Sequence, residues 1–304
     1  YLLVNPLQSK HIPASPSKSL DMMKALGEKV AIKYPNAKLV IGFAETATAI
    51  GAAVASCLAE DCIYIHTTRE EINGISDWVE FNEEHSHAVE QKLYSKNLGN
   101  QVANTQEIIL VDDEISTGKT LINITQQLKK KCPELKDKKI IAASIINRLT
   151  DMNLNRLLCE GIECEYLVKL PEKDYTDAVK SSPVDFVNED SSDIETIEIP
   201  LSEPFLNPRL GISISDYNKF CSKTAKKLFE ELKGNICKTD DVLIIGTEEF
   251  MYPAIKVALE FESQQVANSV YCHSTTRSPI GVNDNEGYPI RNGYKICSFY
   301  DKKR

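Results

Sequence analysis

Short, continuously apolar runs recur through the first half of the chain, each separated from the next by a stretch of helical character. "KLVIGFAET" (38–46), "CIYIHTT" (62–68), "EIILVDDE" (107–114) and "KIIAASIINR" (139–148) read as strands. "ATAIGAAVASCLA" (47–59) and "TLINITQQLKKK" (120–131) read as helices, the second ending in lysines that suit the negative pole of a helix. Strands that are apolar on both faces belong in a parallel sheet covered by helices on both sides. The expected class is therefore α/β with a doubly wound parallel sheet, whose ligands sit outside the carboxyl ends of the strands.

Composition narrows the partners. A chain of 304 residues, 42% hydrophobic and 26% charged, can bury one large or two medium cores. Its net charge of −9 argues against long nucleic acid and anionic membrane, while a local basic pocket for one small anion remains compatible. Nine cysteines without a C-x-x-C pair fit neither a zinc ribbon nor a complete disulfide framework. The longest mostly apolar run, 49–59, is too short for a bilayer, and no signal peptide is visible, so a cytoplasmic location is expected.

Between Lys180 and Arg209 there is no basic residue, whereas acids stand at 185, 189, 190, 193, 195, 198 and 203. This stretch reads as an exposed connection, although the alternating "TIEIPL" also fits an edge strand. The division expected is 1–190 for the first domain and 191–304 for a second, smaller α/β domain. The second echoes the first. Gly42 matches Gly246, Glu45 matches Glu249, and Thr67-Thr68-Arg69 matches Thr275-Thr276-Arg277, while "VDDEISTGKT" has no second copy.

The stretch "IILVDDEISTGKT" (108–120) carries the chemistry. Gly118-Lys119-Thr120 resembles the end of a P-loop, but Asp113 stands where that loop needs glycine. A receiver domain also ends its first strand in a similar acidic run, but only one helix fits between Thr120 and the strand at Lys139, and "STGKT" would be left without a role. A third reading uses every residue. Two adjacent carboxylates, Asp112 and Asp113, accept the hydroxyls of a ribose diol. Ser116, Thr117, Gly118, Lys119 and Thr120 then form a small-residue turn at a helix start, where backbone amides converge on a phosphate. The implied ligand is a ribose 5-phosphate.

These residues resemble the phosphoribosyl-diphosphate (PRPP) signature of type I phosphoribosyltransferases, with Glu114 where that family usually carries an aliphatic residue. The resemblance implies a diphosphate-binding loop at Ala44, Glu45, Thr46 and Ala47, and a mobile lid in residues 69–106. Within the lid, Glu83-Glu84-His85-Ser86-His87 fits a lid, a proton relay, a plain solvated loop or a zinc site. Phe81-Asn82 shows no strand character that would seat a metal there.

"TTRSP" (275–279), "EEHSHA" (83–88) and "SKHIP" (9–13) further resemble a TRSP-domain branch related to orotate phosphoribosyltransferase and found with tellurium-resistance gene clusters. The activity so implied is transfer of ribose 5-phosphate between PRPP and a nitrogenous base, giving a nucleotide-like product. Mg2+ is the expected cofactor, held mainly by PRPP with Asp112 and Asp113 as protein ligands, in a homodimer. The expected catalytic residues are Asp112, Asp113, Arg69, Glu84, His85 and His87. Lys10, His11, Thr276, Arg277 and Ser278 are further candidate substrate contacts, and a hood over the base is expected from residues 1–20, the segment near 165–205 and the second domain. A non-catalytic PRPP or nucleotide sensor on the same fold is the alternative.

Overall fold

The computed structural model describes residues 3, 5–81, 91–94, 98–171, 187–188, 197–201, 203–277, 281–283 and 286–296. In chain order the first half contains α1 (Pro16–Lys33), β1 (Ala37–Gly42), α2 (Thr48–Ala55), β2 (Ile63–His66), β3 (Trp78–Phe81), β4 (Gln91–Tyr94), α3 (Leu98–Ala103), β5 (Glu107–Ile115), α4 (Lys119–Lys131), β6 (Lys139–Asn147), α5 (Asp151–Cys159) and β7 (Ile162–Lys169). There follow β8 (Val187–Asn188), β9 (Ile212–Ser213), α6 (Ile214–Leu232), β10 (Asp241–Gly246), α7 (Met251–Ser263), β11 (Ser269–Ser274) and β12 (Tyr294–Lys295).

The central sheet runs β7-β6-β5-β1-β2-β9, parallel from β7 to β2 and closed at one edge by antiparallel β9. Its apolar strands serve two cores at once. Ile109 and Val111 of β5 join the cluster under α1 and α2, whereas Ile108 and Leu110 join the cluster under α3 and α4. Strand order reverses at β1, whose neighbours β2 and β5 lie on opposite sides, and this is where a crevice opens in a doubly wound sheet. Helix α2 lies tight on β1 because Gly51 faces it: a Cβ there would meet Tyr64 Cε2 at 3.0 Å and Gly42 Cα at 3.1 Å.

Two expectations are corrected. Residues 16–20, assigned to the hood, instead open α1, where Pro16, Ser19 and Leu20 are buried against the core. Phe81, read as outside any strand, ends β3 and pairs with Gln91 of antiparallel β4. The alternation that betrays a strand is short there, and pairing supplies what the sequence pattern lacks. Residues 197–201, the described part of "TIEIPL", are not strand, although Val187–Asn188 upstream pairs with Tyr294–Lys295.

The echo is structural as well. β10, α7 and β11 repeat β1, α2 and β2, with Gly246 beside Ser274 as Gly42 is beside His66. The second unit shares a core with the first: Met23, Ile50 and Tyr64 fall in one apolar cluster with Tyr217, Tyr252 and Phe261. The Tyr217 ring stacks 6.2 Å from Tyr64 and 5.8 Å from Tyr252, tying β2, α6 and α7 together. No helix among the described residues is long and apolar enough to cross a membrane.

Because Tyr217 bridges both units, Tyr217→Ala is expected to cost about 3–5 kcal/mol. Calorimetry should show a single unfolding transition that shifts as a whole; two transitions of which one moves would contradict the shared core. Acid stability carries a second signature. His66 is 2% exposed and burial pulls its pKa down to about 4. Between pH 6.5 and pH 4 the unfolded chain takes up a proton that the folded chain refuses, so stability falls as pH falls. From pH 7 to pH 4.5 that share is roughly 2 kcal/mol, and denaturant titrations of His66→Gln should lack it.

Candidate functional site

The carboxyl ends of β1 and β5 lie side by side, Gly42 opposite Val111, and Phe43 N donates to Val111 O at 3.0 Å. This bond brings the β1–α2 loop against the acidic pair. Thr46 Oγ1 donates to Asp113 Oδ1 at 2.9 Å. Gln8 Nε2, from the N-terminal arm, donates to Thr46 O at 3.2 Å and lies 3.4 Å from Asp113 Oδ2. Asp112 Oδ1 accepts from Asp113 N at 2.9 Å, and both acids are half-buried.

Beyond the pair the chain turns at Ser116, Thr117 and Gly118 into α4. Gly118 has φ 74°, and a Cβ there would lie 2.7 Å from Leu157 Cδ1, so backbone conformation and packing both demand glycine. The amides of a first helical turn find no carbonyl partner in their own helix and sit at its positive pole, and here Lys119 N lies 3.4 Å from Thr117 Oγ1. Ser116, Thr117 and Thr120 are half-buried and Lys119 is exposed, which suits a seat open to a phosphate. Glu114, the departure from the family pattern, is used by the protein itself: its carboxylate accepts from Arg148 Nη1 at 2.7 Å and from Leu3 N at 3.2 Å.

The β1–α2 loop is held from below by β2 and β4. Ala44 N donates to Thr67 Oγ1 at 2.7 Å, and Gln91 Nε2 donates to Ala44 O at 2.7 Å. Thr68 and Lys92 exchange backbone bonds of 2.9 and 2.8 Å, so the root of the long 69–106 insertion is fastened to the end of β2. Glu45 is buried and ion-paired with Lys10, itself fully buried. Lys10 also donates to Glu248 O and Thr275 O, each at 2.9 Å. Burial pulls the Lys10 pKa down, while the Glu45 carboxylate opposes the shift. Thus the acid that looks misplaced in a diphosphate loop is neutralised from within the protein.

The remaining expected residues are placed unevenly. Arg69 is half-buried at the end of β2, and its amide donates to Glu249 Oε1 at 3.1 Å. The Arg277 guanidinium is bound by Glu70 and Glu248. Burial works against the Arg277 charge, but these two acids outweigh it and raise the pKa. Thr276 is exposed. His11 is half-buried, and burial, with the Lys10 charge second, brings its pKa down to about 4. Its Nδ1 is buried with no hydrogen-bond partner among the described residues. Glu84, His85, His87 and Ser278 lie outside the described residues.

Four residues that sequence reasoning did not single out as site-forming are Gln8, Thr67, Gln91 and Glu249. The repeat flagged Thr67 and Glu249, whereas nothing local marks the two glutamines. Among the described residues no group of three or more His, Cys, Asp or Glu is arranged around a metal. Two half-buried carboxylates, Asp112 and Asp113, form an open oxygen donor set of the kind that suits Mg2+ arriving on substrate phosphates.

Comparison with known proteins agrees with this geometry. A family described as "Phosphoribosyl transferase" matches residues 1–168, and one described as a TRSP domain C-terminal to that transferase matches residues 207–304. No curated protein sequence matches the chain. Among solved structures, the APRTase of Giardia lamblia with 9-deazaadenine is 17% identical, covers 52% of this chain and 82% of its own, and has a TM-score of 0.39. The adenine phosphoribosyl transferase of Trypanosoma brucei, in complex with AMP, pyrophosphate and ribose-5-phosphate, is 16% identical, with coverages of 50% and 66% and a TM-score of 0.38. Likenesses at that level add no weight to the assignment. On the match to more than half of its length, the chain belongs to the phosphoribosyl transferase family, in the branch that carries a C-terminal TRSP domain.

Proposed function

We propose that this phosphoribosyltransferase moves ribose 5-phosphate from PRPP to a ring nitrogen of a small base. One observation supports the reading above all others: the acidic pair and the β1–α2 loop meet at the strand-order reversal, joined by the 2.9 Å bond from Thr46 to Asp113. A ribose seated on Asp112 and Asp113 points its 5-phosphate toward the turn at 116–120 and its anomeric substituent toward residues 44–47.

The reaction breaks the bond between the anomeric carbon and the diphosphate oxygen, and forms a bond from that carbon to the acceptor nitrogen. The electron pair of the broken bond leaves with diphosphate, and the nitrogen's proton is lost to solvent or a nearby acceptor. Positive charge builds on the ribose ring, and Asp112 and Asp113 stand beside it while holding its hydroxyls. With the Ala44 and Ala47 amides held by Thr67 Oγ1 and Phe43 O, the Glu45 and Thr46 amides of the 44–47 loop orient the leaving group, and the turn at 116–120 fixes the far end of the sugar. Mg2+, carried by PRPP, supplies charge neutralisation of the diphosphate. The N-terminal arm borders this site, since Gln8 Nε2 lies 3.4 Å from Asp113 Oδ2, and burial brings the pKa of its His11 down to about 4, which leaves that ring neutral at pH 7.

The test is release of diphosphate from PRPP and Mg2+ in the presence of a panel of purine, pyrimidine and related bases. Release dependent on one base supports the transferase reading. Binding of PRPP without release for any base, cell extract included, supports the sensor instead. With the active base identified, Asp113→Asn is expected to lower turnover roughly ten- to a hundredfold, from the about 1.5–3 kcal/mol of a charged hydrogen bond. PRPP should remain detectably bound by calorimetry, and unchanged turnover would remove Asp113 from the chemistry.

A further inference from the structure

The repeat in the sequence is also a repeat of hydrogen bonds. In the first copy, Thr67 N donates to Gly42 O at 2.9 Å and Ala44 N donates to Thr67 Oγ1 at 2.7 Å. In the second, Thr275 N donates to Gly246 O at 2.9 Å and Glu248 N donates to Thr275 Oγ1 at 2.9 Å. The next residue in each loop is a glutamate, and each glutamate reaches into the other copy. Glu249 accepts from Thr68 Oγ1 at 2.9 and 2.7 Å and from Arg69 N at 3.1 Å. Glu45 is approached by Arg277 N at 3.4 Å from both of its carboxylate oxygens. Reciprocal contacts of this kind are the mark of two like surfaces associating face to face, here within one chain.

The copies differ in what lies beside them. Only the first abuts β5 and its acids, through Phe43 N and Val111 O. In the second, Glu248 O, Ser274 Oγ and Thr275 O receive the Lys10 ammonium, so that cradle is filled by the protein's own cation. The second copy therefore serves the first. Its reach is direct, because Thr68 is fully buried, adjoins Thr67, and Thr67 holds the Ala44 amide.

We propose that the C-terminal unit is a positioning element of the donor site and that Glu249 is its working residue. By holding the Thr68 hydroxyl and the Arg69 amide, Glu249 sets the end of β2, and through Thr67 the β1–α2 loop, in the form that receives the diphosphate end of PRPP. The proposal rests on the transferase reading. Both donors that Glu249 receives, the Thr68 hydroxyl and the Arg69 amide, need an acceptor at that position, and an amide oxygen supplies one as a carboxylate does.

Two measurements on the full chain test this. Calorimetric titration with PRPP and Mg2+ is expected to show at least tenfold weaker binding for Glu249→Ala and a change of less than threefold for Glu249→Gln, which keeps an acceptor. Amide hydrogen exchange over residues 67–70 without ligand should lose protection in the first variant and keep it in the second. Should Glu249→Ala not fold, Glu249→Asp, which keeps the charge but shortens the reach, carries the same expectation at threefold or more. Folded Glu249→Ala that binds PRPP like the parent, or keeps its protection, overturns the positioning role. A parent protein that binds no PRPP, with exchange following the pattern above, overturns the transferase reading while leaving the anchoring by Glu249 standing.

Discussion

The structure depends on the pairing of β1 with β5. Because β1 takes β2 on one side and β5 on the other, two loops that are far apart in sequence emerge together, and the Phe43–Val111 bond fixes their separation. Everything assigned to the site follows from that adjacency. The acids of β5 reach Thr46, the turn at Gly118 begins a helix within the same crevice, and the arm carrying Gln8 and Lys10 closes over the junction. A phosphorylated sugar needs acceptors for its hydroxyls and amides for its phosphates, and this junction presents both without any rearrangement of the sheet.

Electrostatics sharpens the picture. The crevice proposed to take PRPP contains Glu45, Asp112, Asp113 and Glu114, which would repel a polyanion if all were open to it. Two of these are answered inside the protein, Glu45 by Lys10 and Glu114 by Arg148. Asp113 accepts from two neutral donors, Thr46 and Gln8, and in the proposed reaction the acidic pair stands beside a sugar whose ring becomes positive. The C-terminal unit takes part in the same arrangement, since the Lys10 amine is shared between Glu45 and the Glu248–Thr275 backbone.

Much of this was legible in the sequence because it rests on local pattern. The strands of the parallel sheet are continuous apolar runs, α4 begins where glycine interrupts polar residues, and "VDDEISTGKT" places acids and turn in one reading frame. The Glu45–Glu249 and Thr67–Thr275 correspondences were visible as a repeat, and the structure gives them matching bonds. What was not legible depends on distance. Gln8 reaches Asp113 across 105 residues, and Gln91 reaches Ala44 across 47, so neither carries a signature of its own. Helix α1 stays hidden because residues 1–20 read as part of the hood, and the β3–β4 pair because it has four residues a strand, too short for alternation to show. The shared core around Tyr64, Tyr217 and Tyr252 likewise arises only when the two halves of the chain pack together.

A crystal structure with PRPP and Mg2+ bound tests the central claim most directly. The account predicts the 5-phosphate within about 3 Å of the backbone amides at 117–120, the ribose hydroxyls on Asp112 and Asp113, and the diphosphate against residues 43–47. PRPP seated elsewhere, or the turn at 116–120 closed over by protein side chains in the presence of saturating ligand, would contradict it.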